Sequence, residues 1–184
     1  MGNKLKVIGI TGGFGSGKST AASFFESKGY RKITLSQFLE EEVGKRGLLI
    51  TRKNLQDIGN EWREKFGSGI LAKKALEFAL NSKARKVVID GIRNTGEIRE
   101  LEKEEFVLVA IEASEKIRFE RLKNLKRREK LTWELFQKLD DRDMGEENSD
   151  AGLQLRRCME MADTRVKNEG SLEEFEKKLG ELAI

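Results

Sequence analysis

Histidine and proline are absent from this 184-residue chain, and cysteine occurs once, at Cys158. Without histidine there is no Ser-His-Asp or Cys-His machinery and no His-ligated zinc. A lone cysteine allows neither an internal disulfide nor a CxxC site, which fits a reducing cytosol. Average usage would supply about nine prolines, so the turns fall to Gly, Asn, Asp and Ser. No apolar run approaches the roughly 20 residues of a membrane helix. Met1 to Lys6 lacks a secretory core and the hydroxyl residue that myristoylation needs at position 6. The expectation is a cytoplasmic protein with no membrane partner. Charge is abundant but balanced, 36 Lys+Arg against 32 Asp+Glu for a net +4, which reads as a solvated surface. The one basic block, Lys123–Lys130, is short, so nucleic acid is not an expected partner.

What is present alternates between strand-like and helix-like stretches. Leu5–Ile10 is a β-branched run ending at a glycine-rich turn, and Lys18–Lys28 reads as a helix. Tyr30–Thr34, Arg85–Asp90, Phe106–Glu112 and Thr164–Lys167 supply four more strands. Between them, residues 36–82 are helical apart from breaks at Gly44–Gly47 and Gly67–Gly69, with Leu55, Ile58, Trp62 and Phe66 on one apolar stripe. Trp62 and Phe66 are expected to pack in the core rather than stack on a base. Helical spacing recurs over Ser114–Arg128, Thr132–Arg142 and Asp150–Met161. Asn94 with Glu97, and Ser171 with Glu174, have capping-box spacing. The pattern predicts an α/β chain, a three-layer α/β/α fold around a five-stranded parallel sheet. It is read as one domain over 1–184, with helical insertions at about 36–82 and 123–145.

Gly12-Gly13-Phe14-Gly15-Ser16-Gly17-Lys18-Ser19 matches G-x-x-x-x-G-K-[ST], directly after a strand and opening a helix. Glycines let successive N–H groups curl inward onto phosphate oxygens, and the helix adds its positive end. Lys18 can then reach the β- and γ-phosphates of ATP, while Ser19, followed by Thr20, brings a hydroxyl to Mg²⁺. Asp90 closes its strand at the same end of a parallel sheet and is the second candidate for the Mg²⁺ shell.

No N-K-x-D guanine signature and no LSGGQ-like motif occurs. Asp90-Gly91-Ile92-Arg93 instead resembles the nucleoside monophosphate kinase superfamily. Adenylate kinases carry Asp-Gly-Phe-Pro-Arg there, one residue longer and with proline. The chain is more similar still to a group related to deoxynucleoside monophosphate kinases and dephospho-coenzyme A kinases, through Ile89–Arg93, the helix Leu55–Phe66, and Ala162-Asp163 followed by Asn168-Glu169-Gly170. The P-loop kinase resemblance implies Mg-ATP-dependent phosphoryl transfer to a small nucleotide; the sequence leaves monomer and homodimer both open. The resemblance puts Arg93 on the acceptor phosphate, Arg118 and Arg121 beside the donor base and phosphates, and Asn168 and Gly170 against the donor adenine.

Phosphoryl transfer asks for positioned cations more than covalent chemistry. Lys18, Arg93 and Arg121 are therefore catalytic candidates. Arg127, Arg128 and Arg142 would join them from a short lid that closes over the phosphates. Ser36, Gln37 and Arg52 are the polar candidates for acceptor binding. A (deoxy)nucleoside monophosphate needs no base. A ribose hydroxyl does, and dephospho-coenzyme A kinases keep an aspartate just after the second strand. Here that position reads Thr34-Leu35-Ser36-Gln37, and the nearest acids are Glu40, Glu41 and Glu42. Dephospho-coenzyme A remains the alternative acceptor. A regulatory or RNA-associated module with slow ATPase activity is the reading from another class.

Overall fold

A computed structural model describes residues 4–124, 131–145 and 150–184. Five strands, β1 (Lys6–Gly12), β2 (Arg31–Thr34), β3 (Lys86–Ile92), β4 (Glu105–Glu112) and β5 (Thr164–Lys167), form one sheet in the order β2-β3-β1-β4-β5. Every neighbouring pair is parallel. Parallel strands need crossovers, and the helices provide them: α1 (Lys18–Ser27), α2 (Leu35–Lys45), α3 (Arg52–Phe66), α4 (Ile70–Asn81), α5 (Thr95–Leu101), α6 (Glu115–Lys123), α7 (Trp133–Met144), α8 (Leu155–Glu160) and α9 (Leu172–Gly180).

Strand periodicity sorts the core into two layers. Val7, Val87, Ile89 and Leu108 point to the face covered by α2–α5 and α8. Ile8, Ile10, Val88 and Val109 point to the other, covered by α1 and α9. Both faces are buried, which is why these strands read as continuous apolar runs rather than alternating ones. The fold is the expected three-layer α/β/α arrangement. α4, within the predicted insertion, lays Leu71, Ala72, Ala75 and Ala79 into the first layer as the crossover from β2 to β3.

Two expectations change locally, and part of a third lies outside the described residues. The helix read over Asp150–Met161 begins only at Leu155. Asn94 Nδ2 donates to the carbonyls of Asp150 (2.9 Å) and Gly152 (2.7 Å), and that pins the preceding segment as a turn. The helix read over Ser114–Arg128 is described to Lys123, and Arg127 and Arg128 lie outside the described residues. Trp62 packs against the core as expected, but Phe66, at the last residue of α3, is half-exposed beneath the Lys65 ammonium (5.3 Å to the ring centroid).

The junction of β3 with α5 positions the site. Ile10 pairs with Asp90 and Thr11 with Ile92, so Gly91 is an extra residue in the ladder, at φ +99°. Only glycine adopts that conformation at no steric cost. The bulge lets Ile92 enter the core while Asp90 and Arg93 both line the cleft at the carboxyl ends of the strands.

Candidate active site

A cleft of about 520 Å³ opens at the carboxyl ends of β1 and β3, where open α/β sheets bind ligands. Phe14, Gly15, Gly17, Lys18, Ser19 and Thr20 form its floor. Gly15 (φ +83°) and Gly17 (φ +104°) turn the chain between β1 and α1. Gly12, Gly13 and Ser16 complete the loop behind that floor, with Ser16 N donating to the Gly13 carbonyl at 3.1 Å. Ser16 Oγ is buried without a hydrogen-bond partner among the described residues.

Lys18 Nζ donates to the Gly13 carbonyl at 2.8 Å, folded back across its own loop. Burial lowers its pKa to about 7. Neighbouring Arg93, Arg52 and Arg118 add to the shift, and Asp90 opposes it. A polyphosphate in the loop would supply the missing counter-charge. Ser19 Oγ donates to Asp90 Oδ2 at 2.9 Å, so the two residues proposed for Mg²⁺ from sequence are in contact. A hydroxyl and a carboxylate suit a hard cation that keeps waters and takes its other oxygens from phosphates. Among the described residues there is no cluster of three or more acidic, His or Cys side chains that would form a dedicated metal cage.

The far wall belongs to the acceptor candidates. Ser36 and Arg52 line the cleft, along with Thr34, Glu40 and Leu55. Arg52 ion-pairs with Asp143 and lies over the Phe14 ring, 4.7 Å from its centroid. Arg93 lines the cleft from the β3 bulge, and burial pulls its pKa down. Its Nε lies 3.6 Å from Asp143 Oδ2 and has no hydrogen-bond partner among the described residues. Glu97 holds the Arg93 backbone, accepting from Arg93 N at 2.9 Å and Asn94 N at 3.1 Å on one oxygen. Its other oxygen takes Arg63 of α3 at 2.8 Å, a pair buried on both sides.

Among the donor candidates, Arg121 lines the cleft and donates through Nη2 to Asn168 O (3.0 Å) and Oδ1 (3.3 Å). Asn168 Nδ2 in turn donates to Ser16 O at 2.8 Å, which ties the β5–α9 turn to the phosphate loop. Arg121 Nη1 is buried with no partner among the described residues. Gly170 is exposed and precedes the Ser171 capping box.

Three candidates are placed elsewhere. Arg118 does not face the cleft: it grips Asp140 of α7 through two hydrogen bonds (2.6 and 2.8 Å) and donates to the Phe14 carbonyl at 3.1 Å from behind the loop. Three residues of helix turn the chain by 300°, so Arg118 and Arg121 diverge by about 60° and meet different partners. Gln37 is the N3 residue of α2, and its Oε1 accepts from Thr34 N at 3.3 Å. Arg142 is not in the cleft lining but pairs with Asp57 of α3 at 2.5 Å.

The residues missed from sequence are carboxylates and amides: Asp140, Asp143, Gln56, Glu97 and Asn168's link to Ser16. The one signal for the first two was their i, i+3 spacing on α7, on the helix side that carries the buried Phe136 and Leu139. Cys158 is buried in the core with its thiol pKa pushed up by desolvation.

A parallel β2-β3-β1-β4-β5 sheet with a G-x-x-x-x-G-K-S loop after β1 defines a P-loop NTPase of the kinase-like superfamily. Comparison with known proteins agrees. An AAA-domain family matches residues 8–153. A UPF0200 protein of Thermococcus gammatolerans is 34% identical over 180 residues, covering 94% of this chain and 91% of that protein. The UPF0200/UPF0201 protein of Archaeoglobus fulgidus is 36% identical over 186 residues, but this chain spans only 56% of its length. The chain belongs to the UPF0200 family of AAA-domain proteins. TT1252 from Thermus thermophilus superposes with a TM-score of 0.62 at 21% identity, covering 97% of this chain and 96% of that one. Shikimate kinase from Aquifex aeolicus superposes at 0.51 and 22%, covering 94% and 93%. At those identities the likeness is one of fold.

Proposed function

We propose that this protein transfers the γ-phosphoryl group of Mg-ATP to the phosphate of a (deoxy)nucleoside monophosphate. One observation carries the reading: Lys18, Arg93 and Arg121 line a single cleft with the Ser19–Asp90 pair, and the buried Arg93 Nε and Arg121 Nη1 find no acceptor among the described residues. Buried guanidinium N–H groups left unpaired are costly, and an anionic ligand with several oxygens satisfies them.

The loop amides and Lys18 hold the β- and γ-phosphates, and Arg121 with Asn168 borders the donor. Arg93 and Arg52 orient the acceptor anion from the opposite wall. An acceptor oxygen forms a bond to the γ-phosphorus as the bridge to the β-phosphate breaks, and ADP leaves with that electron pair. Ser19 and Asp90 would hold Mg²⁺, which neutralises charge on the phosphates. The acceptor oxygen is already anionic, so no protein base is required, in keeping with a chain that has no histidine. The region at 123–145, with Arg127 and Arg128, is proposed as the lid, and that at 36–82 as the acceptor module.

A second reading, a hydroxyl acceptor such as dephospho-coenzyme A, draws support from Glu40. Glu40 is among the residues that line the cleft, one turn beyond Ser36, where a base would be useful. A coupled ADP-release assay across nucleoside monophosphates, nucleosides and dephospho-coenzyme A separates the two. Turnover with a monophosphate, lost in Arg93→Ala, is the expected result. Acceptor-independent hydrolysis alone overturns both kinase readings and leaves a regulatory NTPase. Lys18→Ala that keeps ATP affinity and turnover overturns the phosphate-loop assignment.

A further inference from the structure

Asp143, the penultimate residue of α7, is fully buried between two cleft arginines on different elements. Arg52 Nη2 of α3 donates to its Oδ2, and Arg93 Nε lies 3.6 Å from that same oxygen. Gln56 Nε2 donates to Oδ1 at 2.7 Å and fixes the carboxylate plane. Two guanidinium groups therefore share one carboxylate. The neighbouring Arg118–Asp140 pair is matched one to one and faces away from the cleft. Asp143 takes its hydrogen bond from Arg52, and Arg93 stands beside it in the cleft lining. The Arg93 side chain donates no hydrogen bond to any described residue, although the group is largely buried.

We propose that Asp143 is a positioning residue that sets acceptor specificity: it holds Arg52 and Arg93 side by side and, by taking the hydrogen bond of Arg52, leaves Arg93 for a dianionic phosphate over a monocarboxylate. The proposal rests on the kinase reading above. A monocarboxylate has the same charge and shape as Asp143 itself, which is already in place and held by Gln56. It gains only what Asp143 leaves over. A phosphate dianion brings a second charge and more oxygens, enough to engage Arg93 while Arg52 stays with Asp143. Removing the carboxylate charge leaves two less ordered guanidiniums with a larger net charge. Ground-state anion binding then strengthens while the geometry needed for transfer is lost.

The test uses the full chain loaded with Mg²⁺ and a non-hydrolysable ATP analogue, titrated calorimetrically at pH 8 with inorganic phosphate and with formate. Wild type is expected to bind phosphate and not formate over the same concentration range. Asp143→Asn is expected to bind phosphate several-fold more tightly and to admit formate. With ATP and the monophosphate found by the acceptor panel, the same variant should show a lower KM and a kcat reduced about tenfold. A merely structural role would raise KM, lower kcat and leave formate excluded, and that result overturns the proposal. So does formate binding to wild type as well as phosphate does, a measurement that needs no variant to fold. Asp143→Glu keeps the charge and should keep formate out while losing rate; a variant that admits formate overturns the proposal as well. The kinase reading fails separately, by absence of acceptor-dependent turnover in wild type.

Discussion

At pH 8 the phosphate-loop lysine should gain a proton when a triphosphate binds. In the ligand-free chain Lys18 titrates near 7, chiefly because it is buried, with Arg93 and Arg52 also working against its charge. At pH 8 it is then only about one-tenth protonated, since the pH lies about one unit above its pKa. A bound triphosphate at full ionisation places several negative charges against the ammonium and returns the pKa towards the ordinary lysine value. Binding at pH 8 should therefore take up about 0.9 proton. Above pH 7 the affinity should fall by up to about tenfold per pH unit, because each unit costs ~1.4 kcal/mol to restore the charge. The window runs from the ligand-free pKa near 7 to the ligand-bound value. Below pH 7 the lysine is already charged, and the uptake vanishes. Calorimetric titration in two buffers of different ionisation enthalpy measures it directly, as the slope of observed enthalpy against buffer enthalpy. A slope near zero at pH 8 would refute the reasoning, as would a slope that persists in Lys18→Met.

Three further outcomes follow from the geometry. Arg118→Met should cost about 3–5 kcal/mol in urea unfolding, because it strands the buried Asp140 carboxylate, whereas Arg118→Met with Asp140→Leu should recover most of that loss. Asp90→Asn should weaken the Mg²⁺ dependence of ATP binding by about 10–100-fold, the range typical of groups that orient a metal ligand, measured by Mg²⁺ titration at fixed nucleotide. Gly17→Ala should lower triphosphate affinity at least about tenfold, since φ +104° costs an alanine ~1–2 kcal/mol and its methyl would meet the Asn168 amide; unchanged affinity in equilibrium binding would contradict this account of the loop.

The sheet was legible because its central strands β1, β3 and β4 are buried on both faces, and such burial writes itself into the chain as Val-Ile-Leu runs. The loop was legible because its glycines, Lys18 and Ser19 are contiguous. Asp90 and Arg93 were readable as neighbours, although the reason they both reach the cleft, the bulge at Gly91, depends on the pairing of β3 with β1. Arg118 is placed outside the cleft lining for a different reason. Periodicity tells which residues share a helix side but not what waits there, and Asp140 claims Arg118 from 22 positions along the chain. Gln37 was likewise taken by a local need, the open backbone N–H of Thr34. Polar side chains look alike in a sequence whether they serve a ligand, a helix end or a buried counter-ion.

α7 shows what that ambiguity hid. Its two buried acids, one turn apart, reach different walls of the cleft: Asp140 pairs with Arg118, which supports the phosphate loop through the Phe14 carbonyl, and Asp143 meets Arg52 and Arg93, the proposed acceptor arginines. A third contact, Arg142 with Asp57, fastens the same helix to α3. A displacement of about 1 Å between donor and acceptor is enough to cost orders of magnitude in transfer. One short helix that ion-pairs with both sides fixes that separation more tightly than two independently packed walls would. In the proposed enzyme, then, the arginine excess behind the modest +4 net charge divides in two. Some guanidiniums wait for phosphate, and others spend their charge on carboxylates so that the first group stays in register.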